Sequence, residues 1–442
     1  MSFAQFKVIG TGEYFYYENA NHALFNSDGD RLNFEFDSEK MSLPTSSLGK
    51  SKNPKTIKIV LGHACNYSCG YCVQKDIGNA NERAKNANTQ VFIQRLKQNI
   101  NVSGLERVEL WGGETLLYWP DIIEIMGQLD RVGLTWYIPT NGTTLMNKHV
   151  DFFASLKGKV TIGISHDGPG HVLLRGPEFL HKKIDVLKNL QKAGVQFSFN
   201  PVISLYNYDL FALNDFFANF LKENGLAPVN LVFELGRVYD KTLSKNSYSH
   251  IIHGEHIQKY SDILKRYLKR HKDELRSTGE NKLLRTNLFH FGNGALPYAV
   301  TLKQQRPVSF RSNCGVDLDD LISFDINGNV RTCQNTGNGH LQGTVDALEK
   351  IQLKGVNLTK DGFCENCSVS RLCKSSCPID LSFDVFHLNH LIEKAHYTEI
   401  QLSAFELMFN SVVELVEENV SIHSRPQAAP VNDFQQSPIA PT

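Results

Sequence analysis

No run of the sequence approaches the ~18 consecutive apolar residues that a membrane-spanning helix requires. The opening residues, MSFAQFKVIGTGEYFYY, place no basic segment ahead of an apolar core, so a secretory signal is not expected either. Charge of one sign is also missing, since 46 Lys and Arg face 46 Asp and Glu. A formal charge of zero gives no electrostatic case for nucleic acid or an anionic membrane as partner. No internal repeat is evident. The 442 residues can bury a full core and suffice for two or three domains. Nine cysteines without an export signal point to a reducing cytoplasm, where clustered thiols bind metal or do chemistry more often than they pair.

The most informative absence is a fourth cysteine. HACNYSCGYC, residues 63–72, holds Cys65, Cys69 and Cys72 in the spacing C-x3-C-x2-C, and the next cysteine is Cys314. A disulfide framework needs pairs, and a closed tetrahedral zinc site needs four ligands. The remaining six cysteines, Cys314, Cys333, Cys364, Cys367, Cys373 and Cys377, form a second block. Small buried core thiols would scatter along the chain, so metal ligation is the reading for both blocks.

TIKIVL (56–61) is a β-branched run ending in Gly62 and reads as a buried strand, so the three thiols leave from its C-terminal end. Further strands are expected at VELW (108–111), LTWYI (134–138), VTIGI (160–164), QFSFNPVI (196–203) and NLVFEL (230–235). Helical patterns such as TQVFIQRLKQNI, DIIEIMGQLDRVG, HVDFFASLKG and FLHKKIDVLKNLQKAG lie between them. This alternation predicts an α/β fold of parallel strands with right-handed crossovers. Six units are too few for a closed eight-fold barrel, so an open, partial barrel is expected, with its chemistry at the C-terminal strand ends. Those ends carry GGET (112–115), PTNGT (139–143) and SHDGP (165–169). Each alone is an ordinary turn sequence, but all three share the rim of the cysteine loop. Bare backbone at Gly112 and Gly113 would admit a ligand, and Glu114 could accept from a cationic one. Asn141 reads as a turn-former as readily as a ligand contact.

The C-x3-C-x2-C loop after the first strand, with GGE after the second, resembles the radical S-adenosylmethionine (radical SAM) superfamily over about residues 56–237. The resemblance implies a partial (β/α)6 barrel and gives the missing cysteine a purpose. In that family three thiolates hold a [4Fe–4S] cluster whose fourth iron stays open for S-adenosylmethionine, which is cleaved to a 5′-deoxyadenosyl radical. By resemblance Cys65, Cys69 and Cys72 are the cluster ligands and Tyr71 lies near the adenine. Gly112, Gly113 and Glu114 would receive the methionine amine, Ser165 the ribose, and Arg175 matches a basic residue after the S-x-D-G pattern. A reductant such as flavodoxin or ferredoxin is implied as a partner.

In the second block, Cys314 and Cys333 are followed by C-x2-C-x5-C-x3-C from Cys364 to Cys377. CxxC pairs suit zinc and iron–sulfur equally. Beside a radical SAM core the pattern resembles the SPASM extension, which carries auxiliary iron–sulfur clusters and occurs in sulfatase maturases and peptide-modifying enzymes. The full pattern has a further cysteine downstream, and none follows Cys377, so one or two auxiliary clusters are expected with a ligand missing. Asp380, Asp384 and His387 follow Cys377 where that ligand would fall.

The expected organisation is a β-rich cap (1–55), the barrel (56–240), a solvated basic helical linker (241–305), the SPASM-like domain (306–390), C-terminal helices (391–423) and a disordered Pro- and Gln-rich tail (424–442). His387 and His390 read as helix-surface histidines. The expected function is hydrogen abstraction from a peptide or protein side chain, leading to a cross-link, oxidation or epimerisation; no catalytic acid or base is assigned. A formylglycine-forming sulfatase maturase is an alternative. In those enzymes an aspartate base follows the cysteine matched by Cys333, whereas here Gln334 follows, and an amide takes no proton at neutral pH. A non-catalytic iron–sulfur or zinc protein would leave GGE and the vacant ligand position without a purpose.

Overall fold

The computed structural model describes residues 3–18, 23–32, 49–74, 89–237, 250–275, 282–304, 314–336, 341–352, 364, 367–374 and 383–420. Every strand expected for the barrel forms. They are β4 (Thr56–Val60), β5 (Arg107–Trp111), β6 (Thr135–Thr140), β7 (Val160–Ile164), β8 (Gln196–Phe199) with β9 (Val202–Ile203), and β10 (Asn230–Leu231) with β11 (Glu234–Leu235). The last two expected strands are each divided. Pro201 lies in the first break, where a residue without an N–H cannot continue a ladder. β4, β5, β6, β7, β8 and β10 pair in parallel in that order, and β11 pairs in parallel with β9.

Buried apolar residues recur at alternate positions, as in Ile57 and Ile59, Val108 and Leu110, or Trp136 and Ile138. The crossover helices cover that outer face. Helix Trp119–Leu129 buries Ile122, Ile125, Met126 and Leu129, one stripe at helical spacing, with Pro120 in the first turn where its missing N–H costs nothing.

Three expectations need correction. The cysteine-rich half is not separated from the barrel by a sheet boundary: β12 (Leu321–Asp325) pairs in parallel with β4 along five residues. β13 (Asn329–Arg331) and β14 (Leu341–Thr344) then extend one sheet to nine strands. The stretch expected as a solvated linker contains helix Glu255–Glu274, which buries Tyr260, Leu264, Tyr267, Leu268 and His271 and packs on helix Phe383–Phe409. Its basic residues occupy one face and hide an apolar stripe on the other. The C-terminal helical expectation holds only to Phe409, because Val413–Val420 is strand β15. β15 pairs with β1 (Phe3–Val8), which joins β2 (Tyr14–Glu18) and β3 (Ala23–Asn26) in an antiparallel sheet. The expected hairpin cap is therefore sealed by the far end of the chain, with Phe6 and Phe15 packed on Phe405. The expected disordered tail lies outside the described residues.

Candidate functional site

The cysteine loop starts where β4 ends, at Gly62. Its φ of +154° lies in a region L side chains rarely adopt, and a Cβ there would stand 2.3 Å from the Tyr118 hydroxyl. That hydroxyl accepts from Ala64 N at 2.8 Å. The GGE segment clamps the same stretch through its backbone: Gly113 N donates to Gly62 O at 3.0 Å and Glu114 N to Ala64 O at 2.8 Å. A Cβ on Gly113 would lie 2.5 Å from the carbonyl oxygens of both His63 and Ala64. The bare backbone at Gly113 thus first admits the protein's own cysteine loop.

Cys65, Cys69 and Cys72 line one cavity of about 730 Å³ at the C-terminal strand ends, together with Tyr71, Gly112, Gly113, Ser165 and Arg175. Of the sequence-designated residues of the barrel, Glu114 alone is absent from that wall. It is 1% exposed, and its carboxylate accepts from Leu116 N (2.9 Å), Thr140 Oγ1 (2.7 Å) and Asn141 N (2.6 Å). Burial pushes its pKa up while these donors pull it down. The structure gives this carboxylate to the protein's own loops rather than to the cavity, because the turn after β6 offers donors that burial obliges it to satisfy.

The loop is tied down at a second point. Tyr71 Oη donates to Asp167 Oδ2 at 2.6 Å, and Arg175 Nε donates to the same oxygen at 2.9 Å. Arg175 also lies over the Tyr71 ring at 5.3 Å. Asp167 is fully buried, and its other oxygen accepts from Val202 N at 2.9 Å. The SHDG turn, the start of β9 and the cysteine loop are joined through one carboxylate.

The donor set fits an iron–sulfur cluster. Three thiols face one cavity, and thiolate is the ligand type such clusters take. Burial pushes Cys69 up to about 12, against the opposing influence of Arg175, and raises Cys65 as well. A cationic centre bound between them would oppose that effect and favour the thiolates. Among the described residues no three His, Cys, Asp or Glu side chains converge on a single point suited to one metal ion. A cluster does not require that, since its thiolates bind separate irons.

The second block meets this cavity at Gln334 and Asn335, both in its wall. Gln74 Nε2 donates to Gln334 O at 3.3 Å and to Asn335 Oδ1 at 3.2 Å. Gln334 Oε1 accepts from Cys333 Sγ at 3.3 Å and from Lys58 Nζ at 3.4 Å. Cys364, Cys367 and Cys373 are buried, Cys367 and Cys373 packing with Val369 and Tyr397, while Cys314 is exposed. Cys373 Sγ lies 3.8 Å from Glu393 Oε2, and Glu393 Oε1 accepts from Arg237 Nε, at 2.7 Å, in the cavity wall. Cys377, Asp380 and the side chains of Asp384 and His387 lie outside the described residues; His390 is half-buried.

Sequence reasoning passed over a polar layer inside the barrel. Lys58, Glu109 and Tyr137 occupy matching register positions on β4, β5 and β6, with Lys58 3.7 Å from Glu109. A polar residue at the same place in three successive strand runs was the available signal. Tyr137, Asn200 and Glu234 line the cavity as well.

Residues 59–210 match the family described as Radical SAM superfamily. The Radical SAM cyclopropyl synthase TigE of Paramaledivibacter caminithermalis is 23% identical over 206 residues, covering 42% of this chain and 43% of that protein, so the match spans less than half of that curated relative. Among solved structures, native anSMEcpe with bound AdoMet is similar with a TM-score of 0.59 at 17% identity, over 80% of this chain and 98% of the other. Streptococcus suis SuiB bound to precursor peptide SuiA is similar with a TM-score of 0.51 at 16% identity, over 74% of this chain and 72% of the other. At such identities these structures show a shared fold.

Proposed function

Because this chain carries a domain of the Radical SAM superfamily across residues 59–210, we propose that it binds S-adenosylmethionine beside a cluster held by Cys65, Cys69 and Cys72 and abstracts hydrogen from a peptide or protein side chain. The carrying observation is the convergence of the three thiols with Gly112, Gly113, Ser165 and Tyr71 on one cavity at the C-terminal strand ends. When bound, a [4Fe–4S] cluster supplies the electron that cleaves S-adenosylmethionine to a 5′-deoxyadenosyl radical.

The chain's own residues supply position. Gly113 and Glu114 hold the start of the cysteine loop by two backbone bonds, and Asp167 holds Tyr71 and Arg175 at its far side. The half-buried Gly112 and Gly113 are the part of GGE that lines the cavity, and we assign reception of the methionine amine to their carbonyls. Ser165 and Tyr71 are assigned to the nucleoside.

A peptide substrate is supported by two similar folds that were solved with peptides, anSMEcpe with a Cp18Cys peptide and SuiB with SuiA. A formylglycine-forming reaction is less well supported, because Gln334 stands in the cavity wall as a hydrogen-bond acceptor and is no base. One or two auxiliary clusters in the cysteine-rich half, and a flavodoxin- or ferredoxin-type reductant, complete the proposal. No helix among the described residues is long and apolar enough to cross a membrane. The test is anaerobic reconstitution with iron and sulfide, then reductant and S-adenosylmethionine. The full chain should release 5′-deoxyadenosine, and replacing Cys65, Cys69 and Cys72 together by Ala should reduce release to background. Equal release from that variant would overturn the proposal.

A further inference from the structure

Asn141 stands in the turn after β6 and reaches the first of the three cysteines. Both ends of its side-chain amide have partners. Oδ1 accepts from Thr143 N at 3.0 Å and from Thr143 Oγ1 at 2.6 Å. A backbone N–H can only donate, so the oxygen end of the amide is fixed by the fold. The NH2 end therefore faces Asn66 Oδ1 at 2.7 Å and Cys65 Sγ at 3.9 Å. Asn66 returns a bond from its own Nδ2 to Thr143 Oγ1 at 2.7 Å, which closes a ring of three side chains. The turn itself is pinned from beneath, where the buried Glu114 carboxylate accepts from Asn141 N at 2.6 Å. A turn-forming asparagine needs only its oxygen. This one also has its donor end directed at a sulfur, beside the 3.4 Å bond that Tyr67 N donates to the same atom.

We propose that Asn141 is a positioning residue that donates an N–H to the Cys65 sulfur and raises the reduction potential of the cluster, with Asn66, Thr143 and Glu114 fixing its orientation. The inference rests on the reading that Cys65, Cys69 and Cys72 hold a cluster. Reduction adds one negative charge, shared with the ligand sulfurs. A donor aimed at one of them stabilises the reduced form more than the oxidised form, and does so more strongly where water is scarce. A neutral amide achieves this without adding a charge to the cavity. This also gives Glu114 a purpose away from the cavity, since its carboxylate sets the backbone from which that donor projects.

The experiment is a potentiometric titration followed by EPR on the reconstituted full chain, compared with Asn141→Ala and Asn141→Asp. The relevant signal is the one missing when Cys65, Cys69 and Cys72 are all Ala. Asp keeps the oxygen that Thr143 needs but replaces the donor with a negative group. The added charge of Asp would lower the midpoint whatever the native role, so Ala, which removes the donor without adding charge, carries the test. The proposal expects both variants to keep wild-type iron, with the reduced-to-oxidised ratio at the wild-type midpoint falling about tenfold in Ala and further in Asp. Tenfold corresponds to about 59 mV for one electron. Wild-type midpoints in both variants, or in Ala alone, would overturn it. If Ala fails to hold iron, Thr143→Val removes the hydroxyl that bonds both Asn141 Oδ1 and Asn66 Nδ2, leaves the amide held by Thr143 N alone, and should shift the midpoint the same way by less; no shift there would also overturn it. A wild-type chain that holds no iron would remove the cluster reading and this inference together, whereas iron with unmoved midpoints removes only the inference.

Discussion

Cys65, Cys69 and Cys72 leave the end of one strand and line one cavity, whereas the described cysteines of the second block stand in three different surroundings. Cys314 is exposed, Cys333 bonds to a residue of the cavity wall, and Cys364, Cys367 and Cys373 are buried, the last two packing with Tyr397 of the helix Phe383–Phe409. The first block is local: eight residues of loop, clamped by GGE and by Asp167, suffice to bring its thiols to one place. The second block depends on elements far apart in sequence. β12 must join β4 to bring Gln334, the neighbour of Cys333, to the cavity, and Glu393 must arrive from a helix to meet Cys373. Where cysteines within one loop will lie is readable from spacing, and where cysteines carried by distant elements will lie is not.

The largest effect that could break this comparison is in iron content. Replacing Cys65, Cys69 and Cys72 by Ala should abolish 5′-deoxyadenosine yet leave about four or about eight irons per chain, for one or two auxiliary [4Fe–4S] clusters. The pair Cys367→Ala and Cys373→Ala should do the reverse, losing iron from the second half and retaining the first cluster. Zinc instead of iron in the first variant, measured by elemental analysis, would end the auxiliary-cluster proposal.

A second, smaller effect tests whether the first block is held by its neighbours. Asp167→Ala leaves Arg175 largely buried without its partner and frees Tyr71. A cost of about 3–5 kcal/mol is expected, because breaking a buried pair strands the other charge. Thermal unfolding should fall accordingly, and Asp167→Asn should recover part of the loss by keeping an acceptor for Tyr71.

The smallest expected effect concerns the helices behind the second block. Burial lowers His271 and His396 to about 3, helped by His290 and Arg237 respectively, from an ordinary value of 6.5. Both are neutral in the fold and protonate in the unfolded chain as pH drops below about 6.5. Their contribution is therefore fully present above about pH 6.5 and is lost as pH falls toward about 3. His271 stacks on Phe289, so His271→Leu should flatten the fall in unfolding temperature between about pH 6.5 and about pH 5, while the wild-type chain keeps its slope.

Family resemblance alone pointed to Tyr71 and Arg175, whereas the sequence by itself determined the strand–helix alternation, the C-x3-C-x2-C loop at a strand's end, and the rim positions of Gly112, Gly113 and Ser165. These follow from local periodicity and from the rule that every parallel strand delivers its C-terminal loop to the same side. Only the tertiary structure decided that Glu114 turns inward, because its donors lie on the next strand's turn. The same holds for the helix Glu255–Glu274, whose apolar stripe is hidden in a basic sequence until the helix Phe383–Phe409 covers it. It holds too for β12 and β15, since a short β run carries its own pleat but no instruction about its partner. Partner choice depends on the area buried when distant segments meet, and that quantity exists only in the folded chain.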